Sequence, residues 1–402
     1  MKVLIYKDKN TLEPIGGPTG YLYNLYNEIQ KNNITQIEFL DLKKNKIRMK
    51  VKKIYKKLPK KFQKKYKYKK NIKEILKMAD NINNKFSSKT ACINLDNYDI
   101  IHFHDTYTMY MVKESLESYK GKIIITSHSP EVYHKELIER IPKEIYLKNK
   151  EKIDKLEVID EYCFNRADYI LFPCEEAEEP YYHTWSKYND IKKRNFEKYI
   201  YVPTGIIPKN IKDNSEDVRR KVGIPEDAFV ISYVGRHTEI KGYDDLKKIG
   251  KKVLERYDNV YFLIAGTEQP LKGLEHKRWI EVGWTSTPMD YVNASDMFIL
   301  PNKETYFDLI LLEVMSIGKT ILLTETGGNK YFKRYNDIGL FYYKNEKEAL
   351  EKINDMIYMD LSKYDKQNQK IMLENFTTSK FLNNYLKTLY EIYGNKGEKI
   401  EK

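Results

Sequence analysis

Two basic side chains, Arg236 and Lys241, stand five residues apart in the segment VGRHTEIKGYDDL. A guanidinium binds phosphate oxygens as a planar fork, and an ammonium binds them as a point charge, so together they can hold a diphosphate. Neutralising the departing phosphates is the main electrostatic need when a nucleotide leaves a substrate. The segment therefore predicts a diphosphate site. The alternative is a pair of ordinary surface cations.

A second polar group lies further along the chain, between residues 294 and 332. Glu313 falls on a predicted helix, where its carboxylate can accept hydrogen bonds from the two hydroxyls of a ribose. Gly327 and Gly328 form a turn after the next apolar run, and such a turn offers backbone donors near a sugar or a phosphate. These residues extend the predicted diphosphate site toward a whole nucleotide.

A glycine-rich turn, IGGPTGYLYNL, follows the first apolar run. Gly16 and Gly17 allow positive φ and a close approach of the backbone to a ligand. Gly20 then opens a predicted helix, whose free N–H groups favour an anion. The spacing differs from G-x-G-x-x-G, so it does not indicate a dinucleotide fingerprint. An ordinary strand-to-helix turn is the alternative.

Three histidines close two other apolar runs. His102 and His104 are two residues apart at the end of one run, and His128 ends another. An H-x-H pair can ligate a metal, yet the sequence offers no evident third ligand. For His102 the simpler interpretation is a core histidine with a backbone partner. We therefore predict no metal site.

Short apolar runs alternate with longer amphipathic stretches, and this alternation occurs twice. Runs that are apolar on both faces fit parallel strands covered by helices, and strands separated by helices imply βαβ units. The predicted strands are 3–6, 37–40, 100–103, 123–126, 169–172 and 199–202, followed by 229–234, 261–265, 279–282, 297–300 and 321–324.

The two halves join near residues 202–223, a stretch rich in Pro, Gly, Asn and Asp. We therefore predict an α/β protein with two Rossmann-like domains, 1–205 and 206–377, and a helix over 378–393 that packs back on the first. Ligands of such sheets bind outside the carboxyl ends of the strands, which predicts a central cleft.

The second half resembles the retaining glycosyltransferases of family 4, which have the GT-B fold. The pattern of that family is G-R-x4-K-G, then A-D-x4-P-S-x2-E-x7-E, then a G-G turn. Four segments of the first half resemble segments of the same family: the glycine loop, IIHFHD (100–105), TSHSPE (126–131) and VPTGI (202–206). The resemblance therefore covers almost the whole chain except the basic stretch 43–77, described below. The matching residues of the second half are Gly235, Arg236, Lys241, Gly242, Ser295, Asp296, Pro301, Glu313, Gly327 and Gly328.

The resemblance implies roles for both domains: acceptor binding by 1–205 and nucleotide-sugar binding by 206–377. It implies that His128, with Arg236 and Lys241, is catalytic and contacts the donor sugar, with His134 as a weaker candidate. His104 and Asp105 would line the acceptor side. Trp284 would lie near the nucleobase, where it either stacks or packs. The implied donor-binding set is Gly16, Gly17, Arg236, Lys241, Trp284, Glu304, Thr305 and Glu313.

One position departs from the family pattern. Counting back from Glu313, the first glutamate of E-x7-E should be residue 305, which is Thr305, while Glu304 comes one place early. Either a bulge brings Glu304 to the cleft, or Thr305 and backbone amides replace the glutamate. The second interpretation is favoured slightly, because YFDLILLE aligns with the usual helix without a gap.

Charge is concentrated in one place. The chain of 402 residues has a formal net charge of +13, and the stretch 43–77 is rich in lysine. Such a block indicates a polyanion or an anionic membrane surface, with a solvated loop as the alternative. Nucleic acid is disfavoured because no recognised module surrounds the block. No run of about 18 apolar residues predicts a membrane span.

The cysteines and the N-terminal residues both favour a cytoplasmic location. Cys92, Cys163 and Cys174 are too few and scattered for a disulfide framework, which fits a reducing cytoplasm, and MKVLIYKDKN reads as a first strand and not as a signal peptide.

We therefore predict transfer of a hexose or N-acetylhexosamine from a nucleoside diphosphate sugar to a hydroxyl acceptor, in polysaccharide or glycoconjugate synthesis. The resemblance implies retention at the anomeric carbon and no metal or other cofactor. The predicted partners are the nucleotide-sugar donor, a glycan or lipid-linked acceptor and an anionic inner membrane face. The alternative is a non-catalytic GT-B subunit that binds glycan or a partner enzyme.

Overall fold

A computed structural model describes residues 1–7, 12, 17–40, 60–83 and 91–394, with the side chains of 60–65, 67 and 83 left out. The chain forms two compact units. Unit 1 comprises Met1–Phe172, Tyr181–Tyr201 and the chain from Tyr385, and unit 2 comprises Pro173–Pro180 and Val202–Asn384.

Each unit is built on a six-stranded parallel sheet. In unit 1 the spatial order is β2-β1-β3-β4-β5-β6, and in unit 2 it is β12-β11-β10-β7-β8-β9. The strands of unit 1 are β1 Val3–Tyr6, β2 Ile37–Phe39, β3 Ile100–Phe103, β4 Lys122–Ile125, β5 Tyr169–Phe172 and β6 Tyr199–Tyr201. Those of unit 2 are β7 Phe229–Val234, β8 Val260–Ala265, β9 Trp279–Gly283, β10 Met297–Leu300, β11 Ile321–Thr324 and β12 Leu340–Tyr343.

Helices connect most of the consecutive strands, as crossover connections in a parallel sheet usually do. The first ten are α1 Gly17–Lys31, α2 Lys60–Asn83, α3 Thr106–Met111, α4 Lys113–Glu117, α5 Tyr133–Glu139, α6 Lys143–Lys148, α7 Lys150–Asp154, α8 Glu157–Arg166, α9 Glu179–Thr184 and α10 Tyr188–Asn195. The others are α11 Ser215–Val222, α12 Tyr243–Arg256, α13 Pro288–Asn293, α14 Leu309–Ser316, α15 Glu346–Ile357, α16 Ser362–Asn375 and α17 Thr378–Gly394.

The prediction of an α/β protein with two Rossmann-like sheets is confirmed. The eleven predicted strands fall within one residue of the predicted runs, and most of them are buried on both faces. Strand β12 was not predicted: it lies at the edge of its sheet, is only half-buried in the middle and has no β-branched residue.

The units differ in three details from the predicted domains, which were 1–205 with the helix over 378–393, and 206–377. Pro173–Pro180 belongs to unit 2, because a 3₁₀ turn at Glu175–Glu178 packs on another at Gly327–Arg334. Residues 202–205 also belong to unit 2, where Gly205 is so close to the backbone of Thr377 that a Cβ would lie 2.2 Å from its carbonyl oxygen. Helix α17 is divided, and only its part from Tyr385 belongs to unit 1.

Candidate active site

Unit 2 has a topological switch point beside β7. The chain runs from β7 to β8 on one side of that strand, while β10 lies on its other side. The chain therefore leaves the carboxyl ends of β7 and β10 toward opposite sides of the sheet. Ligands of such sheets bind in the crevice at this point. The predicted cations follow β7, and the Thr305 segment follows β10.

The two loops are held together by their backbones. The Lys303 amide donates to the Ile240 carbonyl at 3.0 Å. Gly242 has φ of 65°, and a Cβ there would lie 1.7 Å from the Pro301 carbonyl oxygen. Only glycine fits this approach, which gives the K-G pair of the sequence motif a structural reason. Gly242 lets the loop that carries Arg236 and Lys241, here called the cation loop, pack against the loop after β10.

Arg236 and Lys241 lie in this loop but differ in their surroundings. Arg236 is exposed, and the described residues give its guanidinium no hydrogen-bond or ion-pair partner. Lys241 is half-buried, and its Nζ lies 2.5 Å from Oδ2 of Asp308. Arg236 is thus available to an anion at once, whereas an anion at Lys241 meets a carboxylate already in place.

Asp308 was not predicted as a site residue. It precedes α14, and its Oδ2 also accepts a hydrogen bond from Nδ2 of Asn302 at 2.5 Å. Burial alone would raise the pKa of Asp308, but the charge of Lys241 and the hydrogen bonds from Lys241 and Asn302 outweigh it and hold that pKa below its ordinary value. The carboxylate is therefore ionised at neutral pH.

Glu313 occupies α14, as predicted. Its Oε1 lies 2.9 Å from Nζ of Lys209, and a quarter of its side chain (24%) is exposed. An exposed carboxylate edge can still accept hydroxyl groups, so its ribose role stays a prediction.

Thr305 and Glu304 lie in different environments. The side chain of Thr305 is buried at 3% exposure, and its carbonyl accepts a hydrogen bond from the Gly328 amide at 3.2 Å. Cβ atoms at Gly327 and Gly328 would lie 2.0 and 2.1 Å from the carbonyl oxygens of Thr305 and Tyr306, so the glycine turn packs directly on this backbone. Glu304 remains partly exposed. Which of the two replaces the family glutamate stays a prediction.

Trp284 follows β9 and is 72% exposed. The strand ends at Gly283, whose φ is 76°, and the Gly283 carbonyl accepts a hydrogen bond from the Gly266 amide at 2.9 Å. Of the two roles that the sequence left open, packing in a core does not apply, because the indole is on the surface. Its role beside a nucleobase stays a prediction.

A buried ring cluster supports the start of the cation loop. The imidazole of His237 stacks on Tyr243 with centroids 3.8 Å apart. The Tyr243 hydroxyl and the Trp279 indole both donate to Oε1 of Glu281, at 2.5 and 2.8 Å. Burial raises the pKa of Glu281 and lowers that of His237 to about 4. Sequence reasoning missed this cluster, because its members are spread over 45 residues and three elements.

Unit 1 has its own switch point, between β1 and β3. Lys7 follows β1, and its Nζ lies 3.0 Å from Oδ2 of Asp105, which follows β3. Oδ1 of Asp105 caps α3 by accepting a hydrogen bond from the Thr108 amide at 2.6 Å. Asp105 therefore has structural partners on both oxygens, and its acceptor-side role stays a prediction.

Three histidines of unit 1, His102, His104 and His128, form one group. Nδ1 of His104 lies 2.9 Å from Nε2 of His128, and the ring of His102 lies 4.0 Å from that of His104. Burial, followed by neighbouring histidines, holds the pKa of His102 and His104 well below the ordinary range, and burial lowers that of His128 to about 3. The three rings are therefore neutral at physiological pH.

His134 is separate from this group. Its Nδ1 lies 2.8 Å from Oδ2 of the buried Asp160, which also accepts a hydrogen bond from its backbone amide at 3.0 Å. This histidine is thus held by α8, and its geometry fits a structural role.

The glycine loop is described only from Gly17, which begins α1; Gly16 lies outside the described residues. A Cβ at Gly17 would meet nothing within 4 Å of the described atoms. No packing constraint in the described chain requires glycine there, so the residue leaves room next to the first turn of α1.

Within the described ranges, no three His, Cys, Asp or Glu side chains are grouped so as to hold a metal ion. Over the same ranges, no helix combines the length and the apolar character that crossing a bilayer would need.

Comparison with known proteins identifies the second half. Residues 214–372 match the family of glycosyl transferases group 1. An uncharacterized glycosyltransferase of Methanocaldococcus jannaschii is 22% identical over 282 residues, which cover 66% of this chain and 67% of the relative. A UDP-Gal:alpha-D-GlcNAc-diphosphoundecaprenol alpha-1,3-galactosyltransferase of Escherichia coli is 26% identical over 147 residues, 33% of this chain and 38% of that protein.

A solved structure resembles the whole chain. Anabaena Alr3699/HepE in complex with UDP-glucose superposes with a TM-score of 0.60 at 13% identity, covering 97% of this chain and 100% of HepE. The fold is therefore GT-B, as the sequence resemblance implied, and residues 214–372 are similar to the glycosyl transferases group 1.

Proposed function

We propose that this protein is a retaining glycosyltransferase that transfers a hexose or N-acetylhexosamine from a nucleoside diphosphate sugar to a hydroxyl acceptor, in polysaccharide or glycoconjugate synthesis. The observation that carries the proposal is Arg236: an exposed guanidinium without a partner among the described residues, at the switch point of the sheet that matches the family. The donor seen with HepE and the donor and acceptor named for the E. coli relative support the same chemistry.

In this proposal Arg236 and Lys241 bind the diphosphate and stabilise the charge that develops on it. The bond between the anomeric carbon and the phosphate oxygen breaks, and a bond to the acceptor oxygen forms on the same face of the sugar. The acceptor proton passes to the departing phosphate oxygen. No protein nucleophile takes part, and the two cations do the electrostatic work of a metal ion.

Purified protein should transfer sugar from a UDP-, GDP- or ADP-sugar, and its melting temperature should rise with the donor it binds. Arg236→Ala should lower kcat about 10²- to 10³-fold, as loss of one stabilising donor in a dry site does. Arg220→Ala removes a guanidinium that is 73% exposed on α11 and serves as the matched control. Unchanged turnover in Arg236→Ala would contradict the phosphate assignment.

A metal chelator should leave transfer unchanged, because the proposal routes no step through a cation other than the side chains. Loss of activity on chelation, restored by a divalent ion, would contradict this part.

Burial of Thr305 favours one alternative, a non-catalytic GT-B subunit that binds glycan or a partner enzyme. A side chain that is 3% exposed offers little surface for contact with a sugar. This alternative predicts a melting temperature that responds to glycan but to no nucleotide sugar, and no hydrolysis or transfer with any donor.

We further propose that the protein is cytoplasmic and binds the inner face of a membrane through the basic stretch 43–77, to reach a lipid-linked acceptor. Only its part from Lys60 is described. There α2 packs Ile75 and Ala79 against unit 1 and exposes Tyr66 and Tyr68. Each cation near an acidic bilayer adds about 1 kcal/mol of attraction.

The protein should therefore sediment with phosphatidylglycerol vesicles at low salt and not with phosphatidylcholine vesicles. Replacing three exposed lysines of α2 by glutamine should weaken binding at least tenfold, and the same change on α12 should not. No sedimentation with anionic vesicles would contradict the membrane proposal. The test lysines are Lys69, Lys70 and Lys73, and the control lysines are Lys248, Lys251 and Lys252.

A further inference from the structure

The hydrogen bond between His104 and His128 joins the carboxyl ends of β3 and β4. Nδ1 of His104 and Nε2 of His128 are 2.9 Å apart, and the two rings are within 12° of parallel. A neutral imidazole has one N–H and one lone pair, so one ring donates this bond and the other accepts it. The direction of the bond decides what the other nitrogen of His128 offers to a ligand.

His104 is buried and packs against a second histidine. It is 3% exposed, and its ring lies 4.0 Å from that of His102. His102 is itself held at both nitrogens, by the Tyr385 hydroxyl at 2.7 Å and the Thr126 hydroxyl at 2.8 Å. His104 therefore packs against a ring that is itself held by hydrogen bonds at both nitrogens.

The second nitrogen of His104 settles the direction. Nε2 of His104 is buried and has no hydrogen-bond partner among the described residues. If His128 donated, the only proton of His104 would be on this nitrogen, as a buried donor without an acceptor. If His104 donates through Nδ1, its Nε2 carries only a lone pair. Buried donors without acceptors are rarer in folded proteins than acceptors without donors.

His128 then carries its proton on Nδ1. That nitrogen has no partner among the described residues, and His128 is only half-buried. The Tyr21 ring of α1 lies 4.6 Å from the His128 ring and restricts its rotation. The nitrogen left open to a ligand is thus a donor.

We propose that His104 is a positioning residue that holds His128 in the Nδ1–H form, so that His128 donates a hydrogen bond to a hydroxyl of the bound sugar and does not act as a base. The sugar as the ligand of His128 rests on the proposed function, whereas the protonation form of His128 does not. Burial keeps both rings neutral by lowering each pKa, so the form persists across physiological pH.

The test is two-bond ¹H–¹⁵N correlation spectroscopy on the full chain labelled with ¹⁵N-histidine, with His128 assigned by its loss in His128→Gln. The expected spectrum shows Nδ1 of His128 protonated and Nε2 unprotonated from pH 6 to pH 8. This is the reverse of the form that a free histidine side chain favours. A spectrum with Nε2 protonated would overturn the proposal.

Two replacements of His104, by leucine and by asparagine, introduce side chains of nearly equal shape. Together they separate a positioning role of His104 from a packing role. His104→Leu removes the hydrogen-bond partner, and His128 should move toward the Nε2–H form. His104→Asn keeps an N–H near the former Nδ1 and should retain the Nδ1–H form. The signals of His237 and His276, in unit 2, should be unchanged in both variants. An Nδ1–H form that persists in His104→Leu would overturn the role of His104.

Kinetics provide a separate readout. His104→Leu should lower kcat about tenfold while KM for the donor stays within about twofold, since a lost orientation affects the reacting geometry more than ground-state binding. His104→Asn should recover most of the loss. If the wild type turns over no donor at all, the proposed function fails, and the spectra still decide the protonation form.

Discussion

The two units are both built on six-stranded parallel sheets, with different strand orders, and they differ in the chemistry at the switch point. In both, the first strand of the sheet lies next to the switch point, β1 beside β3 in one and β7 beside β10 in the other. Beside this place unit 1 carries the neutral rings of His102, His104 and His128 together with one ion pair, Lys7–Asp105, whereas unit 2 carries the exposed Arg236 and the Lys241–Asp308 pair. Parallel strands thus fix where a ligand binds, and a few side chains fix what it is.

The difference also shows in how each unit treats ionisable groups. Beside the switch point of unit 1, burial lowers the pKa of His104 and His128, and it raises that of Glu131 to about 7. Beside that of unit 2, Asp308 is buried, but the charge and hydrogen bond of Lys241 hold its pKa below the ordinary value, so the pair keeps both charges.

The sharpest test of the charged region is Asp308→Asn. Removing the carboxylate frees Lys241 and removes repulsion of the incoming phosphates, so a nucleoside diphosphate should bind about tenfold tighter at low salt. Calorimetry in 20 and 500 mM salt measures this, and the gain should shrink at high salt. Asp217→Asn, on exposed α11, is the control. Weaker binding would mean that Asp308 holds Lys241 in its binding position.

A second test concerns Trp284, whose indole is exposed in unit 2, whereas the rings of His102 and His104 are buried in unit 1. Trp284→Ala should weaken nucleoside diphosphate binding about fivefold, in line with stacking of a base on an aromatic side chain. The melting temperature should stay within about 1 °C, because a 72% exposed indole packs on little. Tyr358→Ala, at a residue 78% exposed, is the control and should change neither value. Equal affinities in both variants would remove Trp284 from the base site.

The smallest expected effect is in unit 1. Burial, with Glu139 and Glu136 nearby, raises the pKa of Glu131 from 4.5 to about 7. Between these values the unfolded chain ionises and the folded chain does not, so stability falls as pH rises from 4.5 to 7. Glu131→Gln stays neutral and should raise the melting temperature by about 2 °C at pH 8, with no gain at pH 4.5.

The control for this change is Glu197→Gln, at an exposed position, which should shift the melting temperature by the same amount at both pH values. An equal rise in the melting temperature of Glu131→Gln at pH 4.5 and pH 8 would show that a neutral Glu131 carboxyl is not a feature of folded unit 1.

The sequence predicts the sheets better than the sites. Strand runs such as Met297–Leu300 are visible because they are apolar on both faces, and the Arg236–Lys241 spacing is visible because both residues share one loop. The His104–His128 bond spans 24 residues, and the Lys241–Asp308 pair spans 67. Such contacts depend on which strands become neighbours, and periodicity does not specify strand order. Asp308 and the Glu281 cluster were missed for this reason.

The path of the chain through unit 1 has a consequence for its synthesis. The hydroxyl that binds Nδ1 of His102 belongs to Tyr385, in the last described helix. Domains generally begin to fold from the N-terminus as they leave the ribosome. Here the earlier half must wait with an unfilled position in its interior until residue 385 has emerged, whereas Val202–Asn384 already contains nearly all of unit 2. The part made first is therefore finished last.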